Sequence, residues 1–278
     1  MDFSTQVPAT QGKFALNILT YNVYGVFGWF SPARKRTAKL VQSGILDSYD
    51  VLVFQELFSS GHRRGLVRAL QKRNHPHCTG VLNRSGHDRW ANGGVLICSR
   101  YPIVSPVKEM VYEARAGWDR LVAKGAMHVT IQKDGRKFHL VATHAQADES
   151  TLYIEQRTQQ VQQLHKWIKQ LKLPEHEPLM IVGDMNIPKY RGQGVEYRSM
   201  LNTLKVADLP EKRGNGLTLD TPTYDPINNG LAAGQEPLVI DYILPSRRHL
   251  LPKESSFKRV LALPYSDHYA VHGYVDFE

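Results

Sequence analysis

Short apolar runs rich in β-branched residues recur along the chain at 16–21, 51–54, 94–98, 126–131, 138–143, 179–182 and 238–244. Each is bounded by Gly, Pro or Asp, the pattern of a core strand. Between them the apolar period changes to three or four. Residues 36–45 carry Ala38, Leu40, Val41 and Ile45 on one face, and 65–70 continue a second such stretch. The longest, 153–171, aligns Ile154, Val161, Leu164, Ile168 and Leu171, and Pro174 follows its end. These spacings predict helices. The runs 126–131 and 138–143 are joined through Asp134-Gly135, a hairpin turn signal. Strands that alternate with helices but include a hairpin predict mixed sheets with helices outside, an α/β architecture. No internal repeat or low-complexity linker interrupts the pattern. One domain over 14–278, preceded by a polar tail at 1–13, is the simplest account.

Composition narrows the partners. The 278 residues are 42% hydrophobic, enough for a sizeable core, and carry a net charge of +9. A basic surface draws polyanions: nucleic acid, anionic lipid or phosphate-bearing substrates. The N-terminus lacks a basic segment followed by an apolar one, and no run of about 18 apolar residues exists to span a bilayer. The chain is expected to be cytoplasmic, or secreted if a leader has been removed. Cys78 and Cys98 are expected as inert core thiols, with a single disulfide left open; two cysteines are too few for a thiolate zinc site.

Polar residues stand at the ends of the apolar runs. Asn22 follows 16–21, Gln55-Glu56 follows 51–54, and His144 follows 138–143; Gly183-Asp184-Met185-Asn186 follows 179–182, and Ser266-Asp267-His268 precedes the last strand-like region near Val271. Each has a plain structural reading. Asn22 suits a turn, Glu56 a helix N-terminus, His144 a hydrogen-bonded core position, and Asp184 with Asn186 an Asx turn. Together they form a set of hard oxygen donors and imidazoles on rigid mounts. Carboxylates and amides suit Mg²⁺, Mn²⁺ or Ca²⁺, imidazoles stabilise charge on phosphoryl oxygens, and a carboxylate takes a proton from water.

In their order, Asn22-Val23-Tyr24, Gln55-Glu56-Leu57-Phe58, Thr143 to Ala147, Asp184-Met185-Asn186 and Ser266-Asp267-His268 resemble the signature set of the endonuclease/exonuclease/phosphatase (DNase I-like) superfamily over about 15–275. Thr-His-Ala-Gln-Ala-Asp-Glu-Ser at 143–150 resembles the sphingomyelinase branch. So do Gly93-Gly94-Val95 with Ser99-Arg100-Tyr101-Pro102-Ile103, and the stretch from Asp119 to Lys124-Gly125. The resemblance implies a four-layered α/β sandwich, two packed mixed sheets flanked by helices. It implies a metal-dependent phosphodiesterase that converts sphingomyelin, or a related choline phospholipid, to ceramide and phosphocholine. The cofactor would be Mg²⁺, with Mn²⁺, Co²⁺ or Ca²⁺ as alternatives. Glu56 would be the main metal ligand, with Asn22 beside it and Asp267 adjacent. Asp184 would activate water and Asn186 hold a phosphoryl oxygen. His268 would bind phosphate with Asp241 fixing its tautomer, and His144 would stabilise the reacting phosphorus or the leaving oxygen.

The substrate side is less constrained. Val26 to Phe30 is a bulky apolar run in an expected loop; Phe27, Trp29 and Phe30 are candidate membrane contacts, with Arg34, Lys35, Arg36 and Lys39 facing headgroups. Bacterial secreted sphingomyelinases carry a Trp-Phe hairpin shortly before the final Asp-His; here 253–265 offers only Phe257 and Tyr265. The arginines and lysines at 63–73 read as a solvated helix face. The expected partner is a phospholipid surface met peripherally by a monomer. Nuclease activity fits the charge, but no segment interleaves basic and aromatic residues. Inositol-phosphate phosphatases share Ser-Asp-His, yet the stretch before Asp241 lacks their Trp and Arg.

Overall fold

The computed structural model describes residues 12–25, 33–85, 90–148, 150–212, 222–224 and 238–278. Phe27, Trp29 and Phe30 lie outside the described residues.

The chain runs β1 (Ala15–Asn22), α1 (Ala33–Gln42), β2 (Val51–Gln55), α2 (Ser60–Gln71), β3 (His77–Cys78), β4 (Leu96–Ser99), β5 (Lys108–Val111), β6 (Gly125–Lys133), β7 (Arg136–His144), α3 (Thr151–Leu171), β8 (Leu179–Asp184), α4 (Val195–Leu204), β9 (Asp241–Pro245), β10 (Phe257–Leu261) and β11 (Ala270–Asp276). Six strands form one sheet in the order β10-β11-β1-β2-β4-β3, and five form the other in the order β5-β6-β7-β8-β9. Both sheets are mixed: β1 with β2 and β7 with β8 are parallel, and the remaining neighbours are antiparallel.

Three apolar layers explain why the strands are continuously hydrophobic. Leu16, Ile18, Val51, Val53 and Ile97 of the first sheet pack against Met127, Val129, Leu140, Val182 and Ile243 of the second. Leu19, Leu52 and Phe54, on the outer face of the first sheet, meet Leu40 of α1 with Leu66 and Leu70 of α2. Val141, Ile181 and Leu244 meet Val161 and Leu164 of α3 with Met200 and Leu204 of α4. Strands apolar on both faces belong in such a helix–sheet–sheet–helix stack. This is the four-layered α/β sandwich that the resemblance implies.

Some expectations shift. The first helix spans Ala33–Gln42, and Ile45 belongs to a separate 3₁₀ turn, Ile45–Ser48, beyond the left-handed Gly44. The second begins at Ser60, earlier than its apolar period reveals. The strand expected over 238–244 is β9, from Asp241 to Pro245. The cysteines are not free thiols: Cys78 and Cys98, opposite one another in the β3–β4 register, form a disulfide. Cys98 is buried as its apolar run predicts, but its partner is set by strand register, which a two-residue edge strand does not reveal.

Candidate active site

Topology gathers the strand-tip residues at one end of the sandwich. In the parallel pairs the C-terminal ends coincide, so Asn22 lies level with Gln55, one residue before Glu56, and His144 level with Asp184. The antiparallel neighbours present their starts there: Asp241 opens β9 opposite Asp184, and Asp267-His268 precede β11, which pairs with β1. Glu56, His144, Asp184, Asn186, Asp267 and His268 line one cleft of about 720 Å³. Asn22 and Asp241 are buried beneath it.

Asn22 links the two sheets. Its Nδ2 donates to Glu56 Oε1 and to Asp184 Oδ2, both at 3.0 Å, and its Oδ1 accepts from the Tyr24 N–H at 3.0 Å. Asp184 Oδ1 accepts from the Asn186 N–H at 2.9 Å, so the Asx-turn reading holds and serves to aim the carboxylate. Asn186 Nδ2 donates to the Ala145 carbonyl at 3.2 Å. Opposite Asp184 stand two imidazoles, His144 Nε2 at 3.6 Å and His268 Nε2 at 3.8 Å. His268 Nδ1 donates to Asp241 Oδ2 at 2.8 Å, which fixes its tautomer and turns Nε2 to the cleft. Ser266 Oγ bonds Asp267 Oδ1 at 3.1 Å.

Backbone strain concentrates here. Glu56 (φ 63°), Asn186 (φ 51°), Tyr24 (φ 48°) and Asp148 (φ 75°) occupy the left-handed region, an uncommon one for residues with a Cβ. Glu56 is held there by its surroundings. The Leu57 N–H donates to the Gly94 carbonyl at 2.8 Å, and a Cβ on Gly25 would sit 2.1 Å from the Glu56 carbonyl oxygen. Arg63, read as part of a solvated face, donates to the Leu57 and Phe58 carbonyls just past Glu56. Arg36, read as facing headgroups, donates instead to the carbonyls of Tyr24 and Tyr265, both at 2.9 Å.

The electrostatics divide the groups. Burial first, then Asp241, pushes Asp184 up to about 7; burial and then Asp267 raise Glu56. Burial alone would lower His268, but Asp241, Asp184 and Asp267 together raise it to about 10. His144 is depressed by burial, with Lys124 and His268 adding to it. One imidazole is therefore cationic near neutral pH and the other neutral.

The donor set fits a divalent cation. Glu56 Oε2 is buried and has no hydrogen-bond partner among the described residues, while Asp267 is close enough to raise the Glu56 pKa. Burial raises both acids despite the His268 charge near each and the Lys124 charge near Glu56, and a buried carboxylate oxygen left without a donor suits a hard cation. Asp184, Asp241 and His268 also lie within ligand distance of one another. In that trio the Asp241–His268 hydrogen bond already occupies the facing atoms, so Glu56 and Asp267 are the better ligand candidates.

Several neighbours carried no role in the sequence reading. Lys124 is buried and donates to Asp119 Oδ2 at 2.8 Å and to the Ala145 carbonyl at 3.0 Å. The family resemblance of the stretch from Asp119 to Gly125 is its only signal in the sequence. The Tyr224 ring meets His268 edge-on at 5.1 Å; it lies in a stretch without periodicity. Arg157 is buried on α3, pairs with Glu196 at 2.6 Å and holds the Gln146 and Asp148 carbonyls. An arginine on an apolar helix face gave no warning of that.

The fold and this end-of-sheet site define a class. The chain belongs to the endonuclease/exonuclease/phosphatase family, whose profile, "Endonuclease/Exonuclease/phosphatase family", matches residues 19–268. Within it the chain falls in the sphingomyelinase branch. It is 30% identical to "Sphingomyelinase C" of Bacillus cereus, over 95% of this chain and 89% of that protein. It is 30% identical to "Sphingomyelinase C" of Leptospira interrogans over 98% of this chain, but spans only 53% of that relative's length. Among solved structures, Staphylococcus aureus beta toxin with bound magnesium ions superposes with a TM-score of 0.82 at 26% identity, covering 93% of this chain and 99% of that one. Among the described residues no helix is long and apolar enough to cross a membrane.

Proposed function

We propose that this protein is a divalent-metal-dependent phosphodiesterase that hydrolyses sphingomyelin, or a related choline phospholipid, to ceramide and phosphocholine. One observation carries the reading: Asn22 joins Glu56 of one sheet to Asp184 of the other, directly beneath an imidazole oriented by a buried carboxylate. The similarity to sphingomyelinases over nearly the whole chain supports the lipid substrate.

Glu56, with Asn22 and Asp267, would hold the cation, Mg²⁺ by preference, with Mn²⁺, Co²⁺ or Ca²⁺ as alternatives. When bound, the cation supplies positive charge to the phosphoryl oxygens. Asp184 orients water and accepts its proton, a task suited to a carboxylate raised towards neutrality. The new bond forms from water oxygen to phosphorus, and the bond from phosphorus to the ceramide oxygen breaks. The departing ceramide oxygen takes a proton from water, and Asp184 returns its own to solvent, which closes the cycle. The His268 imidazolium faces the phosphate while Asp241 fixes its ring. Asn186 aims Asp184 through its backbone and flanks the phosphate. His144, neutral by burial, stands on the leaving-group side. The protein works peripherally at a membrane as a monomer, and its disulfide suits an oxidising compartment.

The test is a panel of sphingomyelin vesicles, phosphatidylcholine vesicles, plasmid DNA and a phosphoinositide, each with Mg²⁺ and with EDTA. Headgroup release from sphingomyelin that chelation abolishes is expected. Asp184→Asn, Glu56→Ala and His268→Ala should each reduce it at least about 100-fold with the fold retained. Nicked plasmid with intact lipid would move the reading to a nuclease. Near-normal turnover in any two of the variants would remove the site assignment.

A further inference from the structure

Three large apolar side chains stand in solvent beside the cleft. Trp90 is 91% exposed, Trp118 83% and Leu121 38%. They share one backbone frame. The N–H groups of Trp90 and Ala91 donate to the Leu121 carbonyl at 3.0 and 3.2 Å, and Ala91 bridges Val122 in parallel. Trp118 belongs to the same 3₁₀ turn as Leu121, Gly117–Leu121. Beneath the frame, Ala91 and Val122 pack on Phe58, two residues beyond Glu56. Asp119, between Trp118 and the cleft, accepts from the Ala147 N–H at 2.9 Å, and Ala147 lines the cleft. The indoles are therefore anchored to the rim of the candidate active site by hydrogen bonds and packing.

Exposed single leucines are ordinary; two nearly bare tryptophans on one frame are not. Buried on contact, two indoles and a leucine supply about 500 Å² of apolar area. A stable protein interface takes about 800 Å² per partner. The patch is too small for that, but an amphipathic indole suits the boundary between headgroups and acyl chains. Arg120, exposed in the same turn as Trp118 and Leu121, suits the phosphates at that depth.

We propose that Trp90, Trp118 and Leu121 form a docking surface for a phospholipid bilayer, which brings the cleft to headgroup level. The proposal rests on the phosphodiesterase reading for its purpose and on this geometry for its place. It is independent of residues 26–30.

The full chain and its Trp90→Ala/Trp118→Ala variant are compared for co-sedimentation with vesicles of sphingomyelin and phosphatidylcholine, and for turnover of a soluble phosphocholine ester. The variant should partition at least about tenfold less, about 1.4 kcal/mol, with ester turnover and urea midpoint within error of the parent. Trp90→Phe/Trp118→Phe should recover part of the loss. Partition of the alanine variant within about twofold of the parent would overturn the surface, as would a parent that ignores vesicles. A parent that sediments as a dimer, made monomeric by the variant, would overturn it in favour of contact between copies. If the parent does not turn over the ester with Mg²⁺, the phosphodiesterase reading fails while the partition result still decides the docking surface.

Discussion

Asp241 never touches the cleft, yet it governs His268. Its Oδ2 accepts the Nδ1 proton at 2.8 Å, and its charge opposes the fall in pKa that burial would impose. Asp241→Asn preserves shape and removes both effects. The amide either offers a donor to Nδ1, forcing the other tautomer, or rotates and keeps only a neutral hydrogen bond. Turnover should fall at least about 100-fold, and the pH at which His268 loses its proton, followed by NMR of the imidazole, should drop. A turnover loss without a change in His268 titration would argue against a positioning role. The pairing of these two residues was legible in the sequence only through resemblance, since 26 residues without shared periodicity separate them. The strand tips were legible directly: an acid or amide after an apolar run has few places to stand except a sheet end. The conformations that finish the site were not. Asn186 is of a type that tolerates a left-handed backbone, but Glu56 is not, and its conformation depends on contacts such as that of Leu57 with Gly94.

The parallel pair β7–β8 carries the most demanding backbone. Gly183 sits between Val182 and Asp184 with φ 141°, and a Cβ there would lie 2.0 Å from the Thr143 carbonyl oxygen of the neighbouring strand. The obstacle is main chain, so no rotamer change relieves it. Gly183→Ala should cost about 2–4 kcal/mol by urea denaturation. It should also reduce turnover beyond what the lost folded fraction explains, because Asp184 and His144 flank the displaced bonds. A variant as stable as the parent would show that β7 and β8 can separate freely. The core elements follow from patterning, because β2 and β8 lie between two apolar layers and read as nearly unbroken runs, while β1, β6 and β7 keep an apolar residue at every second position facing the other sheet. Edges do not. β5 is exposed or half-buried throughout, β3 is two residues long, and α4 opens after a left-handed Gly194 rather than a side-chain cap. α4 does carry a periodic signal, with Tyr197, Met200, Leu201 and Leu204 on one face, and only its start lacks the usual mark. The two edge strands carry none. The disulfide inherits that difficulty, since it joins one illegible strand to a legible one.

At the scale of the molecule, buried histidines couple stability to acid. Burial, with some help from nearby cationic groups, lowers His128 and His272 to about 3 and His62 to about 4. In the unfolded chain an imidazole titrates near 6.5. Below about 6.5 the unfolded state therefore binds protons that the native state refuses. The stability these groups allow is complete above about 6.5 and is lost as pH falls towards 4 and then 3. Each contributes on the order of 1 kcal/mol per pH unit across that window. His272 is the clearest case. Its Nε2–H donates to Asn17 Oδ1 at 2.9 Å, and its ring lies edge-on to Tyr49 and Phe257, with no acid in the contact. His272→Phe fits between those rings but leaves Asn17 Oδ1 unpaired, at about 1–3 kcal/mol near neutral pH. Its distinguishing effect is on slope: urea midpoints measured from pH 7 to 4 should decline less steeply than in the parent. Parallel declines would show that His272 is solvated when protonated. Because His272 pairs with Leu19 in the β1–β11 ladder, its protonation loosens the strand that positions Asp267 and His268. Turnover should fall first, because Asp184, raised to about 7, is disabled as a base once it takes up a proton, and the unfolding transition should follow at lower pH.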